Sequence, residues 1–191
     1  MLSQYGFGEM TVREENPPRR LPWAFDNGAY KDFTAGRTFQ EAKYLKALDK
    51  GVVGADFVAV PDIVGAGVQS LEFSMSWVPR LKGLPLYLVV QDGMTCTDVA
   101  PFVGHFKGLF VGGSLPWKLE TAGSWINFAH ACGMKCHVGR VGTGPRVRMM
   151  RRLGADSIDS ALPLFSIDNF RRFLSGFWDS DEEILRELRG E

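Results

Sequence analysis

Short, continuously apolar runs recur along this chain, and each leads into a polar or glycine residue. Runs of this length, mostly bounded by turn residues, are typical of buried strands in a parallel sheet. The predicted strands are Leu21 to Phe25, Phe57 to Pro61, Leu86 to Val90, Leu109 to Val111, Cys136 to Val138, and the segment around Ile158. The groups at their ends are Asp26, Asp62, Gln91–Asp92, Gly112–Gly113, His137 to Arg140, and Asp159.

Segments with the apolar spacing of amphipathic helices separate these strands. Their predicted core faces are Phe39, Ala42, Leu45 and Leu48; Val68, Leu71, Met75 and Val78; Val99, Phe102, Val103 and Phe106; Ala122, Trp125, Ile126 and Ala129; and, after Pro145, Val147, Met150 and Leu153. Alternating strands and helices predict an α/β fold, for which we favour a compact or incomplete (β/α) TIM-type barrel with parallel strands. A doubly wound sheet is the alternative.

We expect one domain over residues 1–191. Its first 20 residues read as a short strand, Met1 to Gly6, and then a polar loop that carries Arg13, Arg19 and Arg20. Residues 178–191 read as a C-terminal helix, with Ser180 and Glu183 as a capping box.

Composition narrows the class of protein. The chain has 22 basic and 22 acidic residues, so its neutral charge argues against a histone-like binder of nucleic acid. Three cysteines and the lack of an apolar leader or a spanning segment predict a soluble, cytoplasmic protein, in the host cytoplasm if the gene is phage-encoded.

Five motifs stand at the predicted strand ends, in this order: FDNGAY at 25–30, VPDIV at 60–64, LVVQDG at 88–93, FVGGS at 110–114 and GADSIDSALP at 154–163. As a series they resemble the tRNA-guanine transglycosylase superfamily, and most of all the phage-type deazapurine DNA-modification transglycosylases of the DpdA kind. The resemblance covers about residues 21–165 and implies a pentosyltransferase. Such an enzyme replaces guanine in a nucleic acid with a 7-deazaguanine such as preQ0.

The resemblance also implies a role for each motif. Asp159 would be the covalent nucleophile and Asp26 the general acid/base. Asp62 and Gln91 would read the edge of the base, a backbone amide at Gly112–Gly113 would meet the purine oxygen, and Phe25 or Tyr30 would supply an apolar wall. No cofactor is needed, because both steps are displacements at one carbon.

Departures from the family pattern bear on the substrate. The cysteine and histidine zinc site of the family's tRNA enzymes is missing after Pro163, where Leu164 and Phe165 follow instead of Thr-Arg. DNA is therefore favoured over tRNA as the partner, with a homodimer or a partner protein left open. A tRNA-modifying enzyme, a phosphate-binding barrel enzyme around Gly142 to Pro145, and a non-catalytic nucleic-acid-binding subunit are the alternative functions.

Basic residues concentrate in one stretch that could hold nucleic-acid phosphates, although a solvated helix face is an equally good interpretation. The candidates are Lys118, Arg140, Arg146, Arg148, Arg151 and Arg152. The spacing of His130, Cys132, Cys136 and His137 is not that of a standard zinc site, so no metal is predicted. His137 reads as a satisfied core histidine, and Asp156 as a cap or the partner of an arginine.

Overall fold

The computed structural model describes residues 6–13 and 21–178. Their strands form one parallel sheet in which neighbours along the chain are also neighbours in space. The strands are β1 (Glu9–Val12), β2 (Trp23–Asp26), β3 (Val58–Ala59), β4 (Leu86–Val90), β5 (Gly108–Val111), β6 (Lys135–Val138) and β7 (Ser157–Ile158). The sheet curls into a half-barrel, which confirms the predicted incomplete (β/α) barrel. A doubly wound sheet is wrong, because its strand order would reverse at a switch point.

Helices connect the strands and cover the outer face of the sheet. They are α1 (Ala29–Thr34), α2 (Glu41–Asp49), α3 (Val68–Trp77), α4 (Cys96–Val99), α5 (Leu115–Ala131), α6 (Gly144–Leu153) and α7 (Ile167–Leu174). Short 3-10 helices cover Val78–Leu81, Ala100–His105 and Leu162–Leu164.

The pleat of each strand divides its side chains between two faces. On the outer face, Val58, Leu88, Leu109 and Cys136 are fully buried against the helices in the main core. The four predicted core residues of α5 are all buried there as well. This outer core fixes the register of the strands, and therefore fixes which residues point into the concave face.

Aromatic rings fill the bottom of the concave face. Phe57 stacks on Tyr87 with ring centroids 4.1 Å apart, and Phe110 packs edge-on against Phe57. Gly108 on β5 and Gly139 directly after β6 make room, since a Cβ on Gly108 would overlap the Tyr87 ring and one on Gly139 would lie 2.5 Å from Phe110. The concave face is thus a packed floor, and its open end lies at the carboxyl ends of the strands.

Several predicted elements differ from the structure. β1 occupies residues expected to form a loop, because its alternating Glu9 and Thr11 break the apolar run that predicts a buried strand. The expected helix over residues 99–106 is α4 followed by a 3-10 helix, since Pro101 lacks an N–H. The sequence did not predict α7. The expected strand at residues 1–6 lies almost wholly outside the described residues, and Arg19, Arg20 and the helix expected over residues 178–191 lie outside them apart from residue 178.

Two helices match the predicted core faces only in part, since Leu45, Leu48, Leu71, Met75 and Val78 pack in the core as predicted but the buried faces also include other residues. In α2, Tyr44 and Ala47 are buried while Ala42 is exposed. In α3, Val68 is exposed, and Ser70 and Ser74 are buried with Leu71 and Trp77. The serines tolerate burial because their hydroxyls bind the β3–α3 loop: Ser74 donates to the Pro61 carbonyl at 2.8 Å, and Ser70 accepts from the Ile63 amide at 3.0 Å.

Candidate active site

Asp26 ends β2 on the concave face and begins a tight turn. Its Oδ1 accepts the Gly28 amide at 2.9 Å, and Gly28 has the positive φ of 75° that this turn requires. Arg13 packs beneath the turn, 3.1 Å from where a Cβ on Gly28 would lie. Burial raises the pKa of Asp26, and the nearby charge of Asp159 raises it further against the opposing Gly28 hydrogen bond. Its surroundings therefore favour the protonated acid.

Asp159 follows β7 and has the opposite electrostatic character. Burial opposes its ionisation, but hydrogen bonding and charge from His137, with the Arg140 amide and the charge of Lys118, hold its pKa below the usual range. Its Oδ1 lies 3.0 Å from His137 Nε2 and accepts the Arg140 amide at 3.0 Å. Asp159 is therefore an ionised carboxylate held in a fixed orientation.

Three carboxyl groups from separate parts of the chain influence one another at this end of the sheet. Asp26 raises the pKa of Asp62, and Asp159 raises that of Asp26. Burial raises the pKa of Asp62 to about 7, partly opposed by hydrogen bonds from Asn27 and Gln91. The pKa values of Asp26 and Asp159 are shifted in opposite directions, which is typical of an acid and a nucleophile or base that work together.

Asn27 and Gln91 position the Asp62 carboxyl from two sides. The Asn27 amide donates to Oδ1 at 2.9 Å and to the Val60 carbonyl at 2.7 Å. Gln91 donates to Oδ2 at 3.3 Å. The Asn27 side chain was not predicted to belong to the site, although its place directly after Asp26 at a strand end was a signal that could have been used.

Gln91, predicted to read the base, is buried and uses its carboxamide within the protein. Its nitrogen also lies 3.0 Å from Ile63 O and 2.7 Å from Ser70 Oγ, so its two hydrogens are shared among three acceptors, and its oxygen accepts the Gly65 amide at 2.5 Å. In this arrangement Gln91 positions Asp62 and the loop after it, and a direct contact with a ligand would require these bonds to change.

The two glycines after β5 have different functions in the structure. The Gly112 amide donates to Val90 O at 2.8 Å, as part of the sheet, so only the Gly113 amide is a candidate for binding a ligand oxygen. Gly113 has a φ of 72°, and a Cβ there would lie 2.5 Å from Asp92 Oδ2. Asp92 fixes the next residue by accepting the Ser114 amide at 2.6 Å and its hydroxyl at 2.5 Å.

Phe25 and Tyr30 were the two predicted aromatic walls of the site, and the prediction for Phe25 is wrong. Strand alternation turns it away from Asp26 into the outer core, where its ring lies 5.7 Å from that of Tyr44 and only 3% of the residue is exposed. Tyr30, on α1, is 45% exposed, and the guanidinium carbon of Arg140 lies 3.8 Å from its ring centroid. Tyr30 and Arg140 therefore meet at the mouth.

Lys118 was predicted to contact phosphates, and this prediction is wrong. It lies on the same stripe of α5 as Ala122, Trp125 and Ala129, is only 3% exposed, and donates to the Gly139 carbonyl. Burial, together with the charge of Arg140, lowers its pKa to about 8. Lys118 thus braces the loop between β6 and Arg140 from behind, where a nucleic-acid backbone does not reach it.

The arginines of α6 do not form one solvated row. Arg148 donates to Ser175 O at 3.2 Å and Arg151 donates to Phe177 O, so both tie α6 to the segment after α7. Arg152 is exposed and Arg146 is half-buried. The Gly144 backbone packs against α7, because a Cβ there would overlap Arg172 O. This glycine serves helix packing, which weakens the phosphate-loop interpretation.

His137 is a site residue that sequence reasoning did not assign. It is buried and satisfied, as predicted, but one partner is Asp159 and the other is Ser157 Oγ, 2.8 Å from Nδ1. The alternation of side chains along β6 could have identified it, because His137 pairs with Ser157 on β7 and therefore lies on the same concave face as Asp159. His130 instead binds Asp156 at 2.8 Å, so Asp156 pairs with a histidine and not with an arginine.

A cavity of about 260 Å³ opens beside Asp62, between α1, the start of α2 and the β3–α3 loop. Its other walls include Phe33, Phe39, Ile63 and Phe73, with Arg37 as a charged group. In residues 6–13 and 21–178, no group of three or more histidine, cysteine or acidic side chains could hold a metal ion.

The same residues contain no helix with the length and apolar character needed to cross a membrane. Comparison of the chain with protein-family models and with the sequences of curated proteins found no match.

Proposed function

We propose that this protein is a base-exchange transglycosylase that replaces guanine in a nucleic acid, DNA in preference to tRNA, with a 7-deazaguanine. The observation that carries the proposal is the opposed ionisation of two neighbouring carboxyls. Burial raises the pKa of Asp26 and so shifts it toward the protonated acid, whereas His137 and the Arg140 amide hold the pKa of Asp159 below its ordinary value. This is the combination that expulsion and capture at a glycosidic carbon require.

In the first step, an oxygen of Asp159 forms a bond to C1′ as the bond from C1′ to the base nitrogen breaks. Asp26 gives its proton to the departing guanine. Both donors to Asp159 from the described residues bind Oδ1, so Oδ2 is the attacking oxygen. In the second step, the incoming 7-deazaguanine bonds to C1′, returns a proton to Asp26 and releases Asp159. Two inversions leave the configuration at C1′ unchanged.

Recognition of the base would come from groups around the two carboxyls. Asp62 can accept hydrogen bonds from a guanine edge when ionised, and its pKa of about 7 means that both forms are present near neutral pH. The Gly113 amide can donate to the purine oxygen, and Tyr30 offers a stacking face. The target base of a duplex would have to be flipped out to reach them.

The test is nucleoside mass spectrometry of DNA and of tRNA incubated with the protein and isotope-labelled guanine or preQ0. We expect label in DNA with the unmodified protein and at least a thousandfold less with Asp159→Asn or Asp26→Asn. Asp156→Asn is the matched control, because Asp156 lies only three residues from Asp159 but binds His130 and the Cys136 amide instead. Exchange that survives in Asp159→Asn contradicts the proposal.

A further inference from the structure

Arg140 reaches across the mouth of the candidate site. Its Nη2 donates to the Gly113 carbonyl at 3.0 Å, and its guanidinium carbon lies 3.8 Å from the centroid of the Tyr30 ring. One side chain thus joins the glycine loop after β5 to the aromatic residue after β2. The space between these two elements is the space that a base must enter.

The backbone of Arg140 is held in place for a separate reason. Its amide binds Asp159 Oδ1, and its φ of 56° is the only left-handed value among the non-glycine residues that the structure describes. A non-glycine residue keeps such a conformation only where its surroundings enforce it. Lys118 supplies part of this enforcement by binding the preceding Gly139 carbonyl. The side chain therefore starts from a fixed point beside the nucleophile.

The stacked guanidinium occupies one face of Tyr30. A planar base needs about 3.5 Å to each neighbouring layer, so it cannot fit between two groups that are 3.8 Å apart. A base that stacks on this face of Tyr30 therefore has to replace the guanidinium. Because Arg140 is exposed, the side chain has room to swing outward.

The present partners of the guanidinium are weak ones for a full positive charge. They are a neutral carbonyl and an aromatic face, and no carboxylate among the described residues pairs with Arg140. A phosphate diester offers two charged acceptors in the geometry that guanidinium prefers. An incoming nucleic-acid backbone would therefore compete successfully for this side chain.

We propose that Arg140 is a phosphate-operated cover on the base site: a backbone phosphate of the substrate draws the guanidinium off Tyr30 and thereby frees the stacking face for the base. This inference rests on the proposed function and adds a substrate class to it. A phosphate-bearing oligonucleotide opens the site, whereas a free nucleoside has to displace Arg140 without that help.

Equilibrium dialysis of radiolabelled guanine tests the cover without requiring catalysis. The probe for phosphate is a DNA trinucleotide whose central position is abasic, so it supplies two phosphates and leaves the base site empty. We expect the trinucleotide to tighten guanine binding to the unmodified protein about tenfold. We expect Arg140→Ala to bind guanine as tightly without the trinucleotide as the unmodified protein does with it.

Two further variants control for backbone strain and for the general loss of a positive charge. Arg140→Gly accepts the left-handed backbone without strain, so it reports on the side chain even if Arg140→Ala folds poorly. Lys107→Ala is the control, because it removes an exposed cation directly before β5, at the opposite end of the strand from Gly113, and it should keep the dependence of guanine binding on the trinucleotide.

The outcomes separate the two proposals. Guanine that binds no variant under either condition contradicts the proposed function. Guanine that binds the unmodified protein equally with and without the trinucleotide overturns the cover and leaves the proposed function standing. Weaker guanine binding in Arg140→Gly also overturns it, because Arg140 would then be a wall of the base site.

Discussion

His137 Nε2 and Asp159 Oδ1 lie 3.0 Å apart, and this contact fixes the nucleophile of the proposed reaction. An ionised carboxylate can only accept, so Nε2 carries a hydrogen and donates it to Asp159, while Nδ1 lies 2.8 Å from Ser157 Oγ. The rings of Phe110 and Phe57 lie 4.6 and 5.1 Å from the imidazole and hold its plane. The aromatic floor therefore orients the residue that orients Asp159.

Replacing His137 with phenylalanine should move the pH dependence of exchange. The hydrogen bond and charge of His137 hold the pKa of Asp159 down, so their loss raises that pKa. Because Asp159 must be ionised to attack, the acidic limb of the profile of kcat/KM against pH moves to higher pH. His130→Phe is the matched control, and it should leave the limb in place. An unshifted acidic limb in His137→Phe would contradict the role of His137 in lowering the pKa of Asp159.

The raised pKa of Asp62 predicts a specific pH dependence of stability. Its pKa in the folded protein is about 7 against an ordinary 3.8, so the folded state binds this proton more tightly than the unfolded chain does. The stabilisation is complete below about pH 4 and is lost as pH rises to about 7. Relative to Asp62→Asn, the unfolding free energy should fall by a few kcal/mol, on the order of 1.4 per pKa unit, across this window.

Urea unfolding of both proteins at several pH values measures this difference. Titrating groups that do not interact with Asp62 contribute equally to both proteins and cancel in the comparison, whereas the coupling of Asp26 to Asp62 is part of the measured difference. A difference that is flat between pH 4 and 8 would mean that Asp62 ionises as an ordinary aspartate.

Arg13 and Asp32 form a buried ion pair, at 2.6 Å, beneath the turn that carries Asp26. Arg13→Met leaves the Asp32 carboxylate buried, and a loss of about 3 kcal/mol is expected, at the low end for such pairs because Arg37 still lies 3.4 Å from Asp32. Arg80→Met is the control, since its pair with Glu41 is exposed and should contribute about 1 kcal/mol or less. Chemical unfolding checks both, and equal losses would contradict this ranking.

The sequence predicted the strands with continuous apolar runs, and these give the fold class. β4 coincides with Leu86 to Val90 because both of its faces are buried. β1 was missed because two polar residues interrupt its apolar pattern. Glu9 is exposed, and Thr11 turns into the protein, where its hydroxyl donates to the Ala24 carbonyl. The helical faces of α2 and α3 were misjudged where polar groups such as Ser70 find partners in the interior, a tertiary effect that periodicity cannot register.

At the site, the sequence predicted which strand ends carry polar groups, but it predicted the directions of their side chains less well. Asp26 and Asp159 lie on the concave face, and the alternation of side chains along β2 that places Asp26 there turns Phe25 to the opposite side. Counting along α5 from Ala122 would have exposed Lys118 as a core position. The closing of Arg140 over Tyr30 depends on a left-handed backbone that no sequence pattern announced.

The covalent bond between Asp159 and the substrate is the central claim, and trapping it is the most direct test. The protein is incubated with a guanine-containing DNA oligonucleotide without any added base, denatured, digested and analysed by mass spectrometry. We predict an adduct of the oligonucleotide, less guanine, on the peptide that contains Asp159, and none in Asp159→Asn. An adduct on another residue, or base exchange that proceeds in Asp159→Asn, would contradict the account.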